Sequence, residues 1–214
     1  MDGSETTETI SALISLSELG IEVVPFAPDA NQADVYDHQG ARTLGYAPRH
    51  MMQEAARLTR GGVHALSELN AENFDALVIP GGFGVAKSLS NWATASNPSQ
   101  CEVIPDLKNA IEQFHALKKP IGLCCIAPVL AAVIFKKVTL TVGKAEPNDL
   151  WPYGGTVSQI QSLGATNIPC EVTEIAIDYD HKIVTTPAFM FHAQKHQVLC
   201  GVRKMVRNVG WMMN

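Results

Sequence analysis

Two adjacent cysteines, Cys124 and Cys125, close the short apolar run Ile121-Gly122-Leu123 and lead at once into the helix-like segment that begins Ile126-Ala127-Pro128. A thiol on a strand-to-helix turn has the geometry of a nucleophile elbow: the tight bend exposes the side chain, and the helix N-terminus favours its thiolate. A sulfur nucleophile also needs donors for the charge that develops on the substrate oxygen. Pro80-Gly81-Gly82-Phe83-Gly84 ends a second apolar run, and its glycines let backbone N–H groups approach a ligand without an intervening Cβ. The N–H groups of Gly82 and Ile126 are the candidate oxyanion donors. Composition alone leaves an equal alternative, in which the cysteines are buried core residues and Pro-Gly-Gly is a plain turn.

The elements around these motifs alternate. Helical periodicity over 6–19, carried by Ile10, Leu13, Ile14 and Leu16, stops at Gly20, and a strand follows at 21–26. A helix over 48–58 precedes a strand over 74–79. A helix over 104–117 leads to the strand 121–124, a helix over 127–135 and a β-branched strand over 137–142. After a loop over 143–155 come a helix ending near Leu163, strands over 174–177 and 182–185, and a last helix with Val198, Val202, Met205, Val206 and Val209 on one stripe. This order predicts an α/β fold, doubly wound, with a mainly parallel sheet and helices on both faces. Ligands of such sheets gather beyond the carboxyl ends of the strands, where both unusual motifs fall.

Composition narrows the function classes. The 214 residues, 46% hydrophobic and 17% charged, are expected to form one domain over 1–214. A net charge of −5 offers no basic field for nucleic acid. Five cysteines form no CxxC pair, so neither a zinc site nor a disulfide framework is expected, and the compartment reads as reducing. No apolar stretch approaches the ~20 residues of a membrane span, and the first residues lack a signal-peptide pattern. A soluble, intracellular chain without metal is the expectation.

Several spaced blocks resemble one family. Asp2-Gly3-Ser4-Glu5, Phe26-Ala27-Pro28-Asp29, Glu54-Ala55-Ala56-Arg57-Leu58-Thr59-Arg60-Gly61, Ile79 through Ser90, Lys119 through Pro128, and Val184-Thr185-Thr186-Pro187-Ala188-Phe189-Met190 resemble the ElbB-type proteins. These belong to the class I glutamine-amidotransferase-like, ThiJ/PfpI superfamily, with a flavodoxin-like sheet. Cys-Cys-Ile-Ala-Pro and Trp151-Pro152-Tyr153 are most similar to its eukaryotic mitochondrial members. The resemblance implies Cys125 as nucleophile, three positions before Pro128, with Cys124 turned into the core; the Gly-x-Cys pattern offers Cys124 as the competing register. It implies Glu5 as the acidic partner of the thiol, with Glu8 the alternative one turn on.

The resemblance further implies a cofactor-free enzyme of glyoxalase or deglycase type, acting on a small reactive aldehyde or dicarbonyl through a hemithioacetal. It admits a homodimer, and it places the chain in the mitochondrial matrix if eukaryotic, otherwise in the cytoplasm. Two departures stand against the pattern. No histidine follows the strand after the elbow, which leaves a non-catalytic or redox-sensing protein as the second reading and makes an amidotransferase dependent on His192. The family's first strand, an interior one, is missing ahead of Asp2, and its loss would leave two neighbouring strands with unpaired backbone groups.

Overall fold

The computed structural model describes residues 1–45, 48–146 and 148–213. Its elements are, in order, α1 (Thr6–Glu18), β1 (Phe26–Ala27), β2 (Val35–Asp37), β3 (Arg42–Leu44), α2 (Met51–Thr59), β4 (His64–Ala65), β5 (Leu77–Ile79), α3 (Phe83–Lys87) and α4 (Pro105–Ala116). They continue with β6 (Ile121–Cys124), α5 (Pro128–Ile134), β7 (Thr139–Leu140), α6 (Thr156–Ser162), β8 (Thr166–Asn167), β9 (Ala176–Asp178), β10 (Ile183–Thr186) and α7 (Lys195–Met212).

Four strands form the main sheet in the order β5-β6-β10-β9. The β5–β6 and β6–β10 pairs are parallel, and β9 runs antiparallel to β10. β6 and β10 are buried along their whole length, as strands covered by helices on both faces must be. The expected α/β architecture with a mainly parallel sheet and covering helices is therefore present. It is divided more finely than the sequence predicts. β1 and β4 form a separate parallel pair, β7 and β8 another, and β2 and β3 an antiparallel hairpin over a segment in which the sequence shows no strand signal.

Two expectations are corrected. The strand over 21–26 shrinks to Phe26–Ala27, and Val23 and Val24 ahead of it remain 38% and 37% exposed. β-branched residues extend a strand only where a neighbour takes up their backbone groups, and β1 is paired on one side alone. The buried face of α1 is likewise not the one the apolar residues mark. Ile10 and Ile14 are 36% and 43% exposed, whereas Glu8, Ser11, Ala12 and Ser15 are buried. Their spacing still follows one helical face, and α1 packs on α7.

The last helix behaves as its pattern requires. Val198, Val202, Met205, Val206 and Val209 are all buried, and α7 lies against β6 and β10. Gly201 sets how closely it can lie. A Cβ there would fall 2.2 Å from the Val172 carbonyl oxygen and 2.8 Å from Thr186 Oγ1. Gly201→Ala should therefore lower stability by about 2 kcal/mol, because the obstacle is backbone and cannot rotate away; a chemical-denaturation midpoint measures it, and an unchanged midpoint would refute the close approach.

Candidate functional site

Cys125 stands at the end of β6 with φ of 59°. A non-glycine residue pays ~1–3 kcal/mol to hold this left-handed conformation, so the bend must be fixed from outside. Two backbone bonds do so: Cys125 N–H donates to Thr186 O at 3.0 Å, and Ala127 N–H donates to Cys124 O at 3.0 Å. The first bond anchors the bend to β10. The second closes the turn into α5, with Pro128 at the first helical position, where its missing N–H costs nothing.

The bend separates the two thiols. Cys124 is fully buried, while Cys125 keeps 8% of its surface and lines a trough of about 1680 Å3 together with Gly82, Ile126, Phe83, Tyr153 and Phe189. Phe83 and Tyr153 meet edge to face at 6.1 Å. Of the two cysteines, only Cys125 faces the space a substrate could enter. All five cysteines are free thiols.

The carboxylate that meets these thiols is Glu8. It is completely buried, and its Oε2 accepts from Gly81 N–H at 3.0 Å and from Cys124 Sγ at 3.8 Å. Oε1 accepts from Phe189 N–H at 3.2 Å. The Cys125 thiol lies close enough to this carboxyl for each to shift the other's pKa. Glu5, the residue the resemblance put first, serves elsewhere: it is the N-cap of α1, and its Oε2 accepts from Glu8 N–H at 2.7 Å. A carboxylate at that position satisfies one of the helix's open donors and is favoured by the dipole, but its side chain is then turned to the helix end. Glu8, one turn later, projects from the buried face.

Gly81 and Gly82 are required by this contact. A Cβ on Gly81 would lie 2.5 Å from Cys125 Cβ and 2.7 Å from Glu8 Oε2. Gly82 has φ of 108°, and a Cβ on it would strike Glu5 N at 2.4 Å. The Gly82 amide is among the groups that favour the Cys125 thiolate, and Gly82 lines the trough beside it. The Ile126 N–H makes no hydrogen bond among the described residues, and Ile126 lines the same trough. Both candidate oxyanion donors thus line the same trough as Cys125.

Burial first, and then the charge of Glu5, raise the Glu8 carboxyl from 4.5 to about 7, against the lowering effect of Phe189, Cys125 and Gly81 beside it. Burial and then the Glu8 charge push the Cys125 thiol well above its ordinary value, and the same two causes raise Cys124. This overturns the expectation of a preformed thiolate. Desolvation and a neighbouring carboxylate outweigh the N-terminus of a helix only seven residues long. The site therefore pairs a thiol whose ionisation is disfavoured with a carboxyl raised to about 7.

Sequence reasoning missed the amide of Phe189. It is aimed at Glu8 by the turn after β10, where Ala188 holds φ of 45° and is fully buried. Nothing in residue type reveals that turn, since alanine rarely adopts it. His192 is exposed and is not among the residues lining the trough. Among the described residues, no group of three His, Cys, Asp or Glu side chains could hold a metal ion.

No protein-family profile matches the chain. Curated relatives do. A rat protein described as "ES1 protein homolog, mitochondrial" is 43% identical over 209 residues, covering 97% of this chain and 78% of its own length. The human "Glutamine amidotransferase-like class 1 domain-containing protein 3, mitochondrial" is 43% identical over 209 residues, covering 97% and 77%. Among solved structures, an "isoprenoid biosynthesis protein with amidotransferase-like domain" from Ehrlichia chaffeensis superposes with a TM-score of 0.86 at 31% identity, over 98% of this chain and 93% of its own.

The raised Glu8 carboxyl has a consequence for stability. In the unfolded chain it ionises near 4.5, in the folded protein near 7, so between those values the folded state holds more protons and stability falls as pH rises. Above pH 7 the full penalty remains, on the order of 3 kcal/mol. Glu8→Gln removes it while keeping an acceptor oxygen. The variant should gain on the parent progressively from pH 5 to pH 8 in thermal melts, and a pH-independent difference between the two would contradict the buried, raised carboxyl.

Proposed function

Because the chain belongs to the glutamine-amidotransferase-like class 1 (ES1) family, whose mammalian members match 97% of its length, we propose that it is a cysteine-centred enzyme acting on small reactive carbonyls, with Cys125 as nucleophile and Glu8 as its proton acceptor. One observation carries this reading: a fully buried carboxyl raised to about 7 lies beside a thiol held at a strained elbow, both packed against Gly81, and that thiol opens on a trough. A general base is most effective when its pKa lies near the working pH.

The chemistry follows from the protonated resting thiol. As Cys125 Sγ attacks an aldehyde carbon, the S–H proton passes to the Glu8 carboxylate and the carbonyl electron pair moves onto oxygen. The N–H groups of Gly82 and Ile126 hold that oxyanion. Return of the proton from Glu8 gives a neutral hemithioacetal. With a dicarbonyl such as methylglyoxal, Glu8 then removes the C–H proton of the former aldehyde carbon. Its delivery to the adjacent carbon yields the thioester of a 2-hydroxy acid, and water cleaves this to the acid and the free thiol. Proton and electron counts close without a cofactor.

The raised thiol weighs against a redox sensor, which depends on a ready thiolate. The exposed His192 weighs against a glutaminase that needs it as base. The two mammalian relatives are mitochondrial by name, and we assign this chain the same compartment as part of the proposal. No helix among the described residues is long and apolar enough to cross a membrane.

Methylglyoxal consumption tests the assignment. Turnover should vanish in Cys125→Ser, persist in Cys124→Ser, and drop by roughly 100-fold in Glu8→Gln. The rate of the parent should climb from pH 6 to 8 and level off, since Glu8 must be ionised to accept the proton and becomes so through about 7. Full activity in Cys125→Ser, or a flat profile across pH 7, would exclude this mechanism.

A further inference from the structure

Tyr153 lines the trough together with Cys125, Gly82 and Ile126, and the reaction proposed above gives its hydroxyl no task. It stands on the loop ahead of α6, and the residue two positions before it pins that loop. Trp151 is buried; its ring lies so close over Gly143 that a Cβ there would fall 2.1 Å from it, and it meets Phe191 at 4.8 Å. Asn148 Oδ1 accepts from the N–H groups of Leu150 and Trp151, both at 2.9 Å, and His192 N–H donates to Leu150 O at 2.7 Å. On the other side Thr156 N–H donates to Tyr153 O at 2.9 Å, which joins the residue to the first turn of α6. The Tyr153 ring then meets Phe83, the residue after Gly82, edge to face at 6.1 Å. A side chain held in this way loses little freedom when it binds a ligand. Its hydroxyl is open to one: it makes no hydrogen bond among the described residues. Burial, and then the charge of a Cys125 thiolate, hold it above its ordinary value, so near neutral pH it is an O–H donor.

We propose that the Tyr153 hydroxyl donates a hydrogen bond to the second carbonyl oxygen of the substrate, and thereby selects 2-oxoaldehydes over simple aldehydes at the Cys125 site. This rests on the carbonyl reading above, whose isomerisation step develops a charge that no group yet named receives. Once the hemithioacetal has formed, the Glu8 carboxylate takes the C–H proton, that bond's electron pair becomes a C=C bond, and the pair of the neighbouring C=O moves onto its oxygen. The Gly82 and Ile126 N–H groups are already committed to the first oxygen. Tyr153 O–H meets the second, without giving up its proton, in a site largely withdrawn from water where a fixed donor counts for most. Glu8 then returns its proton to the neighbouring carbon, the hydroxyl proton of the first carbon passes to the second oxygen, and the thioester carbonyl forms. A simple aldehyde places only hydrogen or alkyl opposite the hydroxyl and leaves this donor unpaired, and a site built to hydrogen-bond a substrate oxygen discriminates against the analogue that lacks it.

Tyr153→Phe tests this, since it keeps the ring against Phe83 and removes only the hydroxyl. Turnover of methylglyoxal should fall by about 10- to 100-fold, mainly in kcat, because the bond is strongest when the second oxygen is charged. Binding is read separately, as the protection of Cys125 from iodoacetamide by methylglyoxal or by propionaldehyde, located by fragment mass spectrometry. The preference for methylglyoxal over propionaldehyde should shrink by about three- to tenfold in Tyr153→Phe, with propionaldehyde protecting parent and variant alike. If the parent consumes no methylglyoxal but this preference still shrinks, the reaction above is wrong and the Tyr153 contact stands. If the parent consumes it through Cys125 and Tyr153→Phe alters neither kcat nor the preference, the reaction stands and the Tyr153 assignment is overturned. Equal weakening of protection by both aldehydes, or no protection of Cys125 by either, overturns the assignment as well.

Discussion

The hydrogen bonds that tie the Glu8 carboxylate to the amides of Gly81 and Phe189 join the first helix to the ends of two strands, and the rest of the site is arranged around them. A fully buried carboxylate is tolerable only if its oxygens are met by donors. Each donor requires a turn of defined shape. The Gly81 turn must be free of a side chain, and the Phe189 turn must place Ala188 in the left-handed region. α1 must in turn approach closely enough to deliver the carboxyl, which is why Ser11, Ala12 and Ser15 share its buried face.

The strain at Cys125 is sustained by the same arrangement. β6 is flanked by β5 and β10 and is buried throughout, so its register cannot slip to relieve the bend. The bond from Cys125 N–H to Thr186 O then converts sheet pairing into a fixed direction for the thiol. What results is a thiol, the proposed nucleophile, kept protonated by burial and by the neighbouring carboxyl. In the proposed reaction the buried carboxylate is neutralised by the thiol proton while the sulfur's developing charge passes on to the substrate oxygen, so neither buried group has to hold a full charge alone.

The parts of the fold legible in the sequence are those whose periodicity is set by packing on a complete core. β6 coincides with the run 121–124, and the stripe of α7 is buried at every expected position. α1 misleads because hydrophobicity marks the wrong face: Ile10 and Ile14 are exposed, and a carboxylate with small residues lies inside. Small side chains carry little apolar signal, although they are what permits two helices to touch. The strand over 21–26 misleads for the opposite reason. Its β-branched residues have the right propensity, but one side of β1 has no neighbour among the described residues, and two residues are all that pairing holds.

The sequence by itself determined the family, the alternating α/β order and the place of the strand-to-helix bend at Cys124-Cys125, because glycine, proline and cysteine types at fixed spacing state local backbone geometry directly. It left open which carboxylate meets the thiol. Glu5 and Glu8 are one helical turn apart, the resemblance put Glu5 first, and only the packing of α1 against the sheet ends decides that Glu5 caps the helix while Glu8 enters the core. The protonation of the site was decided there too, since a pKa depends on desolvation and on neighbouring charges, and both are created only when residues distant in the chain are brought into contact.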